Sequence, residues 1–137
     1  MYAQDSGNPK ELNTNGDKGV FVSADELKWF HPFEGAPVQF ATVSGSTFKT
    51  AHVTFGKFPA GFGPGMHMHS NSYEAMVISG VITNPMASDK EKAKKMGPGS
   101  YWYVPANTAH NTKCVSEEPC VFVMFQSVPF DFVPIVK

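Results

Sequence analysis

Two histidines and a carboxylate stand close together in the middle of the chain, and all three are residue types that bind metal ions. His67 and His69 are separated by one residue, and Glu74 follows five residues later. In an extended strand, residues i and i+2 point to the same side, so the two imidazoles share a face. Glu74 rejoins that face if the residues before it form a turn and a new strand begins at Tyr73. Two imidazoles and a carboxylate that converge in this way form half of a metal site.

A third histidine lies further along the chain, behind a turn that fixes its direction. Residues 100–104 are predicted to form a strand, which Pro105 ends because proline fixes φ and removes a hydrogen-bond donor. Asn107 suits a left-handed turn position, which few residues other than glycine tolerate. The turn therefore sets the direction of His110, which we predict to complete the metal site.

The spacing of the first group resembles one of the two sequence motifs of the cupins, G-x5-H-x-H-x3,4-E-x6-G. Gly61, His67, His69 and Glu74 stand at the positions of this motif, and Gly80 comes one residue early.

The second cupin motif, G-x5-P-x-G-x2-H-x3-N, is similar to the stretch that begins at Gly99. Pro105 and His110 match it, Asn107 replaces the usual glycine, and Cys114 stands where the asparagine would be. These departures fall on turn and strand-end positions and leave the metal-binding positions intact. Either motif alone would be a weak signal, but two motifs in the right order make the resemblance specific.

The resemblance implies an all-β fold, an antiparallel jelly-roll β-barrel that holds one divalent transition metal. The ligands that it implies are His67, His69, Glu74 and His110. Imidazole suits Fe, Ni, Cu and Zn, and a carboxylate adds tolerance for Mn, so the identity of the metal stays open. A fold of this kind hosts many reactions and does not specify one of them.

The rest of the chain divides into a polar arm and one domain. Residues 1–18 are dominated by polar residues, glycine and proline, and we expect them to be a mobile arm. Residues 19–137 are expected to form a single cupin domain. Ser23 followed by Glu26 is a capping-box pattern, which predicts one short helical turn through Trp29.

Four side chains are candidates for catalysis or for contacts with a substrate. Glu74 can act as a base if it is released from the metal. Tyr101 and Tyr103 line the pocket if they share a face with the ligands, and the alternative places Trp102 inside instead. His52 lies in a predicted strand, where it either contacts substrate or satisfies a neighbouring group.

The composition indicates a globular protein without a nucleic-acid or membrane partner. The chain has 137 residues, which fits one domain, with 42% hydrophobic and 17% charged residues. A net charge of −1 provides no basic surface for nucleic acid. No apolar run approaches the ~20 residues that a membrane-spanning helix needs.

The cysteines and the first residues bear on the cellular location. Cys114 and Cys120 flank a predicted hairpin loop, so they either form a disulfide across two strands or remain buried thiols. The first five residues, MYAQD, resemble a mature exported N-terminus with an added methionine. Both features favour a periplasmic or otherwise exported location over a cytoplasmic one.

The predicted site supports three functional hypotheses. The first is a metal-dependent enzyme for a small molecule, with dioxygenase chemistry placed before isomerase or lyase chemistry, because a six-coordinate metal with four protein ligands keeps two positions open. The second is a non-catalytic cupin that binds or senses a metal or small molecule. The third is a structural subunit. Exposed sheet edges further predict a homodimer.

Overall fold

The computed structural model describes residues 18–89 and 92–135, and the regular structure in them is almost entirely antiparallel β-strand. In chain order the elements are a 3-10 turn (Ala24–Glu26), β1 (Gln39–Gly45), β2 (His52–Phe58), β3 (His67–Met68), β4 (Tyr73–Ser79), β5 (Ile82–Thr83), β6 (Tyr101–Val104), β7 (Lys113–Cys114), β8 (Cys120–Gln126) and β9 (Val133–Pro134). The all-β prediction with a short N-terminal helical turn is confirmed. The predicted arm, residues 1–18, lies outside the described residues except for Lys18. Within those residues, no helix is both long and apolar enough to cross a bilayer.

The helical turn is shorter than predicted. It spans Ala24–Glu26, and the capping-box pattern is present, because the Ser23 N–H donates a hydrogen bond of 2.8 Å to a carboxylate oxygen of Glu26. Phe30 then pairs with Phe40 through two backbone hydrogen bonds of 2.8 Å each. The backbone is already extended at Leu27, with a ψ of 132°, so the helical turn ends before Trp29.

The sheet topology brings the C-terminal segment next to the first motif. Five strands form one antiparallel sheet in the order β1-β2-β8-β4-β6, and two smaller sheets pair β3 with β9 and β5 with β7. In the β3-β9 pair, His67 lies opposite Pro134. A histidine of the first motif is therefore held against the last described strand.

Alternation along β4 decides which of its side chains enter the barrel. Tyr73, Ala75 and Val77 are buried, whereas Glu74, Met76 and Ile78 are exposed. This orientation is opposite to the predicted one, in which the carboxylate faced inward. Because the side-chain period of a strand is two residues, a one-residue shift exchanges the two faces. The observed orientation buries a tyrosine that has a hydrogen-bond partner and leaves the carboxylate in water, which avoids the large cost of burying an unpaired charge.

The neighbouring strand β6 has the alternative orientation, with Trp102 inside. Trp102 is buried, while Tyr101 and Tyr103 are 56% and 55% exposed. The Trp102 Nε1–H donates a hydrogen bond of 2.9 Å to the Tyr73 hydroxyl. The placement of Tyr101 and Tyr103 in the interior is therefore wrong, because β6 buries the larger indole together with a partner for its N–H.

Cys114 and Cys120 form a disulfide between β7 and β8, with 5.7 Å between their Cα atoms. Gly80 contacts this bond and has a φ of +80°, and a Cβ at this position would lie 2.6 Å from the Cys120 sulfur. Only glycine fits there, which explains why a glycine ends the first motif although its spacing is one residue short. Disulfides are commoner in exported than in cytoplasmic proteins, so the bond agrees with the expected location.

Removal of the disulfide is expected to lower the free energy of unfolding by about 2 kcal/mol. The bond closes a short loop, with a sequence separation of 6, and loop closure of that length restricts the unfolded chain by about this amount. Urea unfolding of the oxidised protein and of the Cys114→Ala, Cys120→Ala double variant measures the difference. A double variant as stable as the oxidised wild type would contradict the expectation.

Candidate metal centre

Three histidines from the two motifs meet inside the barrel. His67 and His110 are joined by two backbone hydrogen bonds of 2.9 Å, and His69 lies one residue beyond β3 on the same face as His67. The ring centroid of His67 lies 4.4 Å from that of His110 and 4.9 Å from that of His69. One ring nitrogen from each residue lies within 4.8 Å of the other two, and all three side chains are buried. The structure therefore brings together the three histidines that the sequence predicted as ligands.

Backbone carbonyls fix the tautomer of each histidine. The Nδ1–H groups of His67 and His110 each donate to the carbonyl two residues earlier, at 2.7 and 3.0 Å. His69 donates its Nδ1–H to the carbonyl of Asp131 at 2.5 Å. A carbonyl can only accept, so Nδ1 carries the hydrogen in every case and Nε2 keeps a free lone pair. This is the form of histidine that binds a metal ion.

Burial keeps the three imidazoles uncharged at neutral pH. It lowers the pKa of His67 to about 3 and that of His69 to about 4, and it also lowers the pKa of His110. Repulsion among the rings adds to this effect at His67 and His69. Protons therefore do not compete for the Nε2 atoms at pH 7.

Two turns hold these histidines in place. Asn107 has a φ of 57°, the left-handed conformation predicted for it, and its N–H donates to the His69 carbonyl at 2.8 Å. Asp131 accepts a hydrogen bond of 2.8 Å from the Ser70 N–H and a second one from the Ser70 hydroxyl. Asp131 was not predicted to take part, because it is far from the motifs in sequence and reaches them only through the pairing of β3 with β9.

The predicted fourth ligand, Glu74, does not join the three histidines. It is exposed on the outer face of β4, where a carboxylate oxygen accepts a hydrogen bond of 2.9 Å from the Tyr101 hydroxyl. The reason is the orientation of β4 described above, which directs Tyr73 inward and Glu74 outward. The assignment of Glu74 as a metal ligand is corrected accordingly.

The four residues predicted to contact substrate gather in a different place. Glu74, Tyr101, Tyr103 and His52 line an outer cavity of about 480 Å³. His52 is fully buried, and its two ring nitrogens lie 2.7 Å from the Thr54 hydroxyl and 2.7 Å from the Gln126 side-chain oxygen. His52 therefore satisfies neighbouring groups, which was the alternative interpretation, and none of the four belongs to the three-histidine group.

The histidines open into an apolar cavity of about 370 Å³. His67 and His69 lie on its wall, and aromatic rings cover them: the Phe132 ring stacks on His67 at 4.4 Å, and the Phe130 ring lies 4.8 Å from His69. The other large apolar side chains of the wall are Phe33, Val38, Phe40, Phe58, Phe62, Phe122 and Met124. Among the described residues that line this cavity, none carries an Asp, Glu, Lys or Arg side chain.

Tyr73 is a residue of this site that was not predicted. Its hydroxyl lies 3.5 Å from the His110 Nε2, and its ring lines the apolar cavity. Burial raises the pKa of this phenol, while hydrogen bonds from Trp102, Thr112 and Asn84 act in the opposite direction. A sequence signal existed, because the first cupin motif allows three or four residues before its acidic position, and the three-residue spacing selects Tyr73 instead of Glu74.

The donor set fits a divalent transition metal. Three neutral imidazoles with free Nε2 lone pairs, each oriented by a carbonyl, form the usual environment of Zn, Fe, Cu or Ni in proteins. His67, His69 and His110 can therefore bind a metal ion.

Comparison with known proteins agrees with the motifs. Residues 21–136 match the family described as a domain of unknown function, DUF4437. No curated protein matches the chain.

Several solved structures share the fold at low sequence identity. The polyketide cyclase RemF from Streptomyces resistomycificus is 14% identical with a TM-score of 0.70, over 88% of this chain and 87% of that one. An RmlC-like cupin from Shewanella frigidimarina is 14% identical with a TM-score of 0.61, over 88% and 95% of the two chains. KdgF from Halomonas sp. is 18% identical with a TM-score of 0.59, over 88% and 97%. The chain therefore belongs to the DUF4437 family, and its fold is that of the cupin superfamily, as the two motifs predicted.

Proposed function

We propose that the protein is a metal-dependent enzyme for a small, uncharged and mostly apolar substrate. The observation that carries the proposal is a group of three neutral, Nε2-directed histidines at an aromatic cavity, with His67 and His69 on its wall. The cavity volume of about 370 Å³ lies within the range typical of small-molecule sites. The structural likeness to a polyketide cyclase supports the view that such a barrel can carry an enzyme.

Each group in the site has a distinct task in this proposal. His67, His69 and His110 hold the metal, which when bound supplies Lewis-acid activation of a substrate oxygen and, if redox-active, activation of O2. The Phe130 and Phe132 rings orient the substrate against the histidines. The remaining aromatic wall excludes water, which strengthens polar interactions within the site.

The charge of the cavity wall restricts the substrate class. No Lys or Arg side chain is among its described lining residues, so a carboxylate or phosphate of a substrate that does not itself bind the metal would be buried without a partner. Such burial costs several kcal/mol. The site therefore favours a neutral diketone, enol or phenol over an organic acid or a sugar phosphate.

Dioxygenase-type chemistry is the reaction class that we place first. Isomerases and lyases usually need a side chain that accepts or donates a proton at the substrate. Apart from the histidines and the buried Tyr73 phenol, the described lining of the cavity offers no titratable side chain. Oxygenation of an electron-rich substrate depends less on such a base.

Metal analysis followed by O2-uptake assays tests the proposal. The protein is loaded with Fe(II), Mn(II), Ni(II) or Zn(II) and given catechol or acetylacetone, and 3,4-dihydroxybenzoate serves as the charged analogue of catechol. We expect metal-dependent O2 uptake with a neutral compound and much less with the acid. Turnover without O2 would instead indicate an isomerase or lyase. Tight metal binding with neither turnover nor a substrate-induced spectral change would favour a binding or sensing role.

Shortening Phe62 is expected to weaken binding of a neutral aromatic ligand by about 10-fold without changing metal affinity. Phe62 lines the cavity, packs edge-on against Phe58, and is only partly buried, so its replacement removes apolar contact area at low structural cost. Titration of catechol into the metal-loaded Phe62→Ala variant measures the change, and Phe62→Leu should restore part of it. Equal affinity in all three proteins would place the ligand outside this cavity.

A further inference from the structure

Tyr73 lies next to the three histidines and has no role in the proposed function. Its hydroxyl is 3.5 Å from the His110 Nε2, and its ring centroid is 5.2 Å from that of His69. The residue is buried on the inner face of β4 and lies on the wall of the same cavity as His67. The phenol therefore lies beside His110 and His69.

The distance between the phenol and His110 is long for a hydrogen bond and short enough for both atoms to reach one ion. A hydrogen bond from a hydroxyl to a ring nitrogen is usually well below 3.5 Å. Two adjacent ligands that lie about 2.1 Å from a six-coordinate ion are about 3.0 Å from each other. A small shift on metal binding would bring the Tyr73 oxygen and the His110 Nε2 to that separation.

Hydrogen-bond donors surround the phenol oxygen and oppose the effect of burial, which disfavours its charged form. Trp102 Nε1, which can only donate, lies 2.9 Å from it. Thr112 and Asn84 also lie close enough to the phenol to oppose the effect of burial on its pKa.

We propose that Tyr73 is the fourth protein ligand of the metal and takes the place of the carboxylate in the cupin motif. Its phenolate oxygen binds the ion together with the three Nε2 atoms, and its proton is released to solvent. The total charge of the ligand set is the same as that of three histidines and a glutamate. This proposal depends on the proposed metal centre.

The colour of the Fe(III)-loaded protein tests this proposal. Phenolate bound to Fe(III) gives a visible charge-transfer band and resonance Raman ring modes, which a tyrosine that only supports Trp102 would not give. We expect the band in the wild type, its loss in Tyr73→Phe, and its retention in a variant in which the other three tyrosines, Tyr2, Tyr101 and Tyr103, are phenylalanine. The Zn(II) affinity of Tyr73→Phe should be at least about 10-fold lower than that of the wild type. Loss of a residue that only orients a ligand already reduces metal affinity by about this factor.

The outcomes separate the two proposals. A wild type that takes up no metal overturns both this assignment and the proposed function. A wild type that binds Fe(III) without a phenolate band, together with unchanged Zn(II) affinity in Tyr73→Phe, overturns only the role of Tyr73. If Tyr73→Phe does not fold, the decision rests on the variant without the other three tyrosines: a retained band supports Tyr73, and a lost band overturns it.

Discussion

Replacing His67 with alanine is expected to lower the affinity for Zn(II) or Fe(II) by at least about 100-fold. The His67 imidazole is buried, uncharged at neutral pH and fixed by a hydrogen bond of 2.7 Å from its Nδ1 to the Gly65 carbonyl. The ring is therefore already oriented before the metal binds, and little conformational entropy is lost on binding. Loss of outer-shell partners alone reduces metal affinity about 10- to 100-fold, and loss of a ligand should exceed that. Competition with a chelating dye measures the affinity.

Two control variants make this test specific. His31 is exposed and lies 3.2 Å from the Val38 carbonyl, so His31→Ala removes one imidazole without touching the site. Glu74→Gln removes the carboxylate that the motif suggested but that the structure places on the outer face. Both should bind metal like the wild type. If Glu74→Gln loses affinity while His67→Ala keeps it, the ion binds at the outer cavity and the three-histidine assignment is wrong.

The sequence predicted the histidines but not the orientation of the strand that follows them. The H-x-H pair needs only the two-residue period of a strand, and His110 needs only the turn at Asn107, so both predictions rest on local geometry. On β4 the two faces are similarly apolar, with Ala and Val on one side and Met and Ile on the other. Pairing with β6 determines which face of β4 is buried, because the Nε1–H of the buried Trp102 donates its hydrogen bond to the Tyr73 hydroxyl.

The walls of the cavity could not be predicted for a different reason. Phe130 and Phe132 lie in the C-terminal segment, outside both motifs. They reach the histidines because β9 pairs with β3, a contact between residues more than sixty positions apart, such as Met68 and Val133. Pairing over such a separation leaves no local pattern, so the cavity wall emerges only from the complete topology.

The free energy of unfolding of the metal-free protein is expected to fall by roughly 5 kcal/mol between pH 7 and pH 4. In the folded state the pKa is about 3 for His67 and about 4 for His69, against an ordinary value of 6.5. Between these values the unfolded chain binds protons that the folded chain does not, so stability decreases as the pH falls. The decrease begins near pH 6.5 and ends as the folded histidines themselves become protonated, and above pH 7 neither state gains a proton at these sites.

Urea unfolding in the presence of a chelator, at several values between pH 7 and pH 4, measures this slope. The His67→Gln, His69→Gln double variant replaces both titrating rings with neutral side chains, so its slope should be much shallower than that of the wild type. His31→Gln alters a histidine outside the site and should keep the wild-type slope. Equal slopes in the wild type and the double variant would mean that these two imidazoles accept protons in the folded state. In that case the buried, uncharged centre on which metal binding depends would not exist.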